Sequence, residues 1–147
     1  MAKANHHILP FFIPHQGCPH RCIFCDQQQI AGAPAPTAEE ISQAIAGFPQ
    51  EIQPEVAFYG GSFTALPEKR QLYYLTPAYQ GILQGRVSGI RVSTRPDAIT
   101  PQILDLLAAH GVHMVELGVQ SLEDQVLATA GRGHNAAASF AAAALLK

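Results

Sequence analysis

The chain has 147 residues and a mass of 15.7 kDa, the size of one ordinary domain and long enough to bury a core of its own. Its 48% hydrophobic and 14% charged content excludes a disordered or collagen-like chain. A net charge of -2, with no Lys/Arg run, gives it none of the electrostatic footprint of a nucleic-acid binder.

The N-terminal Met1 to His7 leads into Ile8 to Pro14, ILPFFIP, a continuous apolar run of strand length that reads as a strand buried on both faces. The run is too short, and too interrupted by Pro10 and Pro14, for a signal peptide or a membrane span, and a cytoplasmic location is expected. Next comes Gly17 to Asp26, which holds all three cysteines at CxxxCxxC spacing. An odd number of thiols crowded into one loop does not fit a secreted disulfide framework and points to metal or redox work. Beyond the connector Ala31 to Pro36, Thr37 and Glu40 predict a capping box. Ile41, Ala44, Ile45 and Phe48 then form one apolar helix face.

The same order of elements recurs. Glu55 to Tyr59 reads as a second buried strand, running into Gly60-Gly61-Ser62. Pro67 opens a helix predicted to be kinked or broken at Pro77. Ile90 to Thr94 is a third strand, ending in Arg95-Pro96-Asp97. Thr100 and Pro101 are the predicted N-cap and N1 of the third helix, and Gly111 its C′ residue. Met114 to Val119 is a fourth strand, after which Ser121 and Asp124 are expected to cap a short helix that stops at Gly131. Asn135 to Lys147 is alanine-rich and helical by propensity. Four strand-then-helix units predict a parallel α/β fold with right-handed crossovers. A parallel sheet of that size cannot close into a barrel, so the chain is expected to be the front part of a longer protein.

Ligands of parallel α/β folds bind at the carboxyl ends of the strands. Cys18, Cys22 and Cys25 follow the first strand, Gly60 to Ser62 the second, Ser93 to Asp97 end the third, and Gln120 and Ser121 follow the fourth. A zinc site would need His15, His20 or His134 as a fourth ligand. A four-cysteine ferredoxin cubane has no fourth cysteine here. An iron–sulfur cluster on three thiolates, with one iron open to a ligand that is not protein, remains. Glu116, a lone carboxylate within an apolar strand, is expected to face the barrel interior or to pair with Arg91 or Arg95. Arg95 and Asp97 either pair with each other or meet substrate. His134 reads as a helix N-terminal neighbour, and His110 and His113 as surface or packing residues.

With Phe24 just before the last cysteine, the motif resembles that of the radical S-adenosylmethionine superfamily. GCPHRCIFCDQ, YGGSFTALP, STRPD, and VELGVQS followed by GRGH are most similar to relatives of the catalytic subunit of Elongator. More distantly they resemble oxygen-independent coproporphyrinogen oxidase. The resemblance implies a partial TIM-like (β/α)6 barrel, of which residues 1–147 carry the first four βα units of the core domain. It implies a 4Fe-4S cluster on Cys18, Cys22 and Cys25 and S-adenosyl-L-methionine as cofactors, the latter reductively cleaved to a 5′-deoxyadenosyl radical. It places Phe24 near the adenine, Gly60 and Gly61 at the methionyl ammonium with Ser62 beside them in the cofactor site, and Gln120 and Arg132 at ribose and carboxylate. Ser93 stands where many relatives carry glutamate and would offer a weaker hydrogen bond. The implied partners are a low-potential electron donor of flavodoxin or ferredoxin type and a substrate, with no membrane. That substrate would be tRNA, for wobble-uridine modification, or a small molecule such as a porphyrinogen. A non-catalytic metal-binding fragment is the competing reading.

Overall fold

A computed structural model describes residues 7–14, 18–26 and 34–147. The readings of Met1 to His6, His15, Gly17 and Ala31 to Ala33 lie outside the described residues. Four strands, β1 (Ile8–Ile13), β2 (Glu55–Gly60), β3 (Gly89–Thr94) and β4 (Val112–Leu117), pair in parallel in sequence order. Helices α1 (Ala38–Gly47), α2 (Glu68–Leu83) and α3 (Pro101–Ala109) connect them, and α4 (Asp124–Thr129) and α5 (Ala136–Leu145) follow β4. The parallel α/β architecture agrees with the sequence pattern.

Because side chains alternate along a strand, the sheet has two unlike faces. Phe11, Ile13, Val56, Phe58, Ile90 and Val92 pack beneath Ile41 and Ile45 of α1, Tyr74, Leu75 and Ala78 of α2, and Leu107 of α3. The opposite face is polar. Arg91 bonds the fully buried Glu55, and its Nη1 donates to Glu116 at 2.9 Å. Tyr59 donates to the same Glu116 oxygen at 3.4 Å, so the pairing of Glu116 with Arg91 foreseen in the sequence is present. The Glu55 bond, opposed by burial and reinforced by Glu116, raises the Arg91 pKa and keeps the guanidinium charged.

Local signals account for most helix ends. Thr37 accepts from the Glu40 amide, and the Glu40 carboxylate takes the Thr37 amide at 2.7 Å. Those bonds, the backbone one first, hold the Glu40 carboxyl below its ordinary value of 4.5. The capping box therefore stabilises α1 above that value and loses this contribution as pH falls through the lower folded value. Thr100 caps α3 by accepting from Ile103, with Pro101 at the first helical position.

Four expectations need correction. β1 is buried on one face only, with Ile8 and Phe12 exposed, because it lies at the sheet edge. Helix α2 is not broken at Pro77, being held by the packing of Tyr74, Leu75 and Ala78; the Thr76 hydroxyl also bonds Leu72 O at 2.7 Å. Strand β4 ends at Leu117, because after a last ladder bond from the Gly118 amide to Thr94 O the Val119 amide turns back to Leu117 O at 2.9 Å. The N-cap of α4 is Glu123, whose amide is taken by the Ser121 hydroxyl, while Asp124 accepts from Ala136 at the start of α5.

Candidate functional site

The carboxyl ends of the strands open into one cleft of about 390 Å³. Cys18, Phe24, Cys25, Gly60, Gly61, Ser62, Ser93, Gln120 and Arg132 line it. Cys22, the remaining predicted site residue, is buried beside it, its sulfur 3.6 Å from Arg132 Nη1. Residues from four separate strand ends thus share one space, together with Tyr59, Thr94, Arg95, Glu116 and Gly118.

All three cysteines are free thiols. The Cys25 amide bonds Cys22 O at 3.0 Å in a tight turn, and the Ile23 amide bonds Ala130 O at 3.1 Å. That second bond, the Arg132 contact to Cys22 and the packing of the His20 ring on Gly133 clasp the cysteine loop with the 130–133 segment. Among the described residues, no group of three or more His, Cys, Asp or Glu is drawn together as a single metal ion would require. The donor set is thiolate with two guanidinium groups beside it, which suits an iron–sulfur cluster with hydrogen-bonded sulfurs. Three protein donors would leave one iron of such a cluster open to a ligand from the cleft.

Strand β2 supplies a close approach. Gly60 sits at φ +107, and a β-carbon there would lie 2.7 Å from Ile13 O, so only glycine lets β2 turn beneath the cysteine loop. The Ser62 hydroxyl points inward, 2.9 Å from Thr94 Oγ1, and accepts from the Arg95 amide at 3.2 Å. Thr94 also meets the Thr64 hydroxyl at 2.6 Å, which makes it the hub of a buried hydroxyl network under the cleft floor. Thr94 and this network were not found in the sequence. The signal was a period of two along β3, which puts Thr94 opposite in facing to Ser93.

Ser93 has no side-chain hydrogen bond among the described residues, so its hydroxyl is available to a ligand. Phe24 is 54% exposed and lines the cleft rather than plugging the core. Gln120 adopts φ +67 just after β4. Arg132 is nine-tenths buried; it donates to Cys22 and to Gly118 O, while its Nε has no partner and is shielded from water. Gly118 leaves the room for it, since a β-carbon there would lie 2.7 Å from Arg132 Nη2. An orphaned, buried donor beside a cleft is costly unless a ligand takes it, and an anionic group would fit.

Arg95 and Asp97 form the bidentate pair anticipated from the sequence, at 2.9 and 3.1 Å. Burial opposes the charge on Arg95, yet Asp97 and then Cys18 outweigh it and raise its pKa. His113 is half exposed and packs on Gly89, as expected, and it also meets a carboxylate. Its Nε2 lies 2.8 Å from Glu55, brought there by the register shift of β4 beside Ile90 and Arg91. His110 packs edge-on against Tyr79, as expected. No described helix is long and apolar enough to cross a membrane.

A family model described as the Radical SAM superfamily matches residues 12–147. An uncharacterised protein of Methanocaldococcus jannaschii is 28% identical over 140 residues, covering 81% of this chain and 41% of the relative. The heme chaperone HemW of Bacillus subtilis is 29% identical over 126 residues, covering 80% and 33%. Elongator complex protein 3 of Homo sapiens is 30% identical over 98 residues, covering 54% and 18%. Among solved structures, the archaeal Methanocaldococcus infernus Elp3 with an N-terminal deletion superposes with a TM-score of 0.64 at 17% identity, which shows a shared fold. That match covers 93% of this chain and 34% of the other. The chain thus spans less than half the length of each of these proteins.

Proposed function

Because this chain belongs to the radical SAM superfamily, an enzyme family, we propose that its cleft holds a 4Fe-4S cluster on Cys18, Cys22 and Cys25 with S-adenosyl-L-methionine beside it. The observation that carries this reading is the convergence of the cysteine loop with the ends of β2, β3 and β4 on one cleft. When bound, the reduced cluster and its cofactor supply a 5′-deoxyadenosyl radical that abstracts hydrogen from substrate.

The residues divide the remaining work. The Gly60-Gly61 carbonyls would accept from the cofactor's ammonium, and the Ser93 hydroxyl would add one donor or acceptor at the adjacent strand end. Arg132 Nε is the unspent donor for a carboxylate, and Gln120 reaches the ribose. Phe24 shields the adenine side of the cleft from water. Glu116, held by Arg91 and Tyr59, presents a fixed acceptor toward the substrate side.

Residues 1–147 are then the N-terminal part of a radical core domain, cytoplasmic, reduced by a flavodoxin- or ferredoxin-type donor. Modification of a tRNA wobble uridine is the favoured reaction, supported by the similarity to Elongator complex protein 3. Radical chemistry on a small molecule such as a porphyrinogen is the alternative, and salt-dependent retention of tRNA separates the two.

Anaerobic reconstitution should give a brown protein with about four iron per chain, as a site-differentiated cubane requires. Cys22→Ala should assemble no cluster. A strong reductant should release 5′-deoxyadenosine from added S-adenosyl-L-methionine; its absence from a cluster-loaded protein would support the non-catalytic fragment. A colourless product that holds one zinc tightly would overturn the assignment.

A further inference from the structure

The geometry points to Arg95 as a positioning residue that donates a hydrogen bond to the Cys18 sulfur and thereby sets the reduction potential of the cluster. The inference rests on the cluster assignment proposed above. Arg95 is 3% exposed, and its orientation is fixed on several sides. Its amide is held by Ser62 at 3.2 Å. Nε and Nη2 grip the two Asp97 oxygens at 2.9 and 3.1 Å, and Nη2 also donates to Arg132 O at 2.6 Å. Nη1 is left, and it lies 3.8 Å from Cys18 Sγ.

The short Pro96–Ala98 turn explains the arrangement. It brings Asp97 back against its near neighbour, so the carboxylate balances the guanidinium charge and leaves the N–H dipole facing the sulfur. Arg132, whose carbonyl Arg95 holds, makes the corresponding contact to Cys22 at 3.6 Å. Two interlocked arginines therefore face two of the three cysteine sulfurs. Donors to cluster sulfurs withdraw electron density and favour the reduced, more negative state.

The test is a redox titration of the reconstituted protein against its Arg95→Met/Asp97→Asn double variant, which keeps the net charge of the pair and removes the donor. The expected result is a tenfold less favourable reduction, equal to a 59 mV lower potential for one electron, at unchanged iron content. An unchanged potential with an intact cluster overturns the proposal. A wild-type chain that assembles no cluster overturns the cluster assignment instead. Should the double variant fail to fold, pulsed EPR of the reduced wild-type cluster labelled with 15N-arginine decides the matter. Coupling from arginine nitrogen is expected there, reduced in Arg95→Lys, and a spectrum without any such coupling overturns the proposal.

Discussion

Gln120 holds a left-handed backbone, φ +67, that costs a residue with a β-carbon about 1–2 kcal/mol. The turn after β4 imposes it, because the Val119 amide bonds back to Leu117 O and the Ser121 amide to Val119 O. Glycine would relieve the strain but would add about 0.5–1 kcal/mol of unfolded-chain entropy. Gln120→Gly should therefore raise stability by roughly 0.5 kcal/mol in chemical denaturation while weakening S-adenosyl-L-methionine binding. Equal affinity in the two proteins would remove Gln120 from the cofactor site. The side chain was recognisable in the sequence from its place after an apolar run. Its backbone was not, since glutamine carries no signal for a left-handed turn. The cysteines were legible because spacing alone limits what three thiols can hold. Thr94 and the inward-facing Ser62 hydroxyl were not, because which hydroxyl meets which depends on the juxtaposition of β2 and β3.

At the level of elements, the strands carry a polar face that short apolar runs conceal. Glu55, Arg91 and Glu116 stand on neighbouring strands and meet only once the parallel register is set. Glu116 was conspicuous as a single carboxylate among apolar residues, and its partner Arg91 could be named. Glu55 at a strand edge gave no such signal, and the register shift that brings His113 to it has none in the sequence. Removing one member of this network leaves a charge stranded in the sheet. Arg91→Leu should cost about 3–5 kcal/mol in denaturant unfolding, as for other broken buried pairs. Adding Glu55→Gln should recover a large part of that. A loss under 1 kcal/mol in the single variant would mean that the His113 contact, rather than Arg91, balances the Glu55 charge.

For the whole molecule, the parallel sheet and the meeting of the polar strand ends in one cleft followed from the alternation of apolar runs and helical faces. Burial did not, because a run such as ILPFFIP looks the same whether it lies in the middle of a sheet or at its edge. The clasp of the cysteine loop by the 130–133 segment also joins parts far apart in the chain. The contact from Arg132 to Cys22 spans 110 positions. At about 5–20 residues per second, a ribosome takes roughly 5–20 s to travel that distance. During that interval the thiols exist without the residue that covers Cys22, open to any oxidant or competing metal. Chains halted before Ala130 should label at Cys22 with a maleimide much faster than the chain that includes the 130–133 segment, in which that residue is 6% exposed. Equal labelling rates would show that the clasp gives no protection. Synthesis thus imposes an order on the loop: the three thiols come out of the ribosome first, and the residue that covers Cys22 follows 110 positions later.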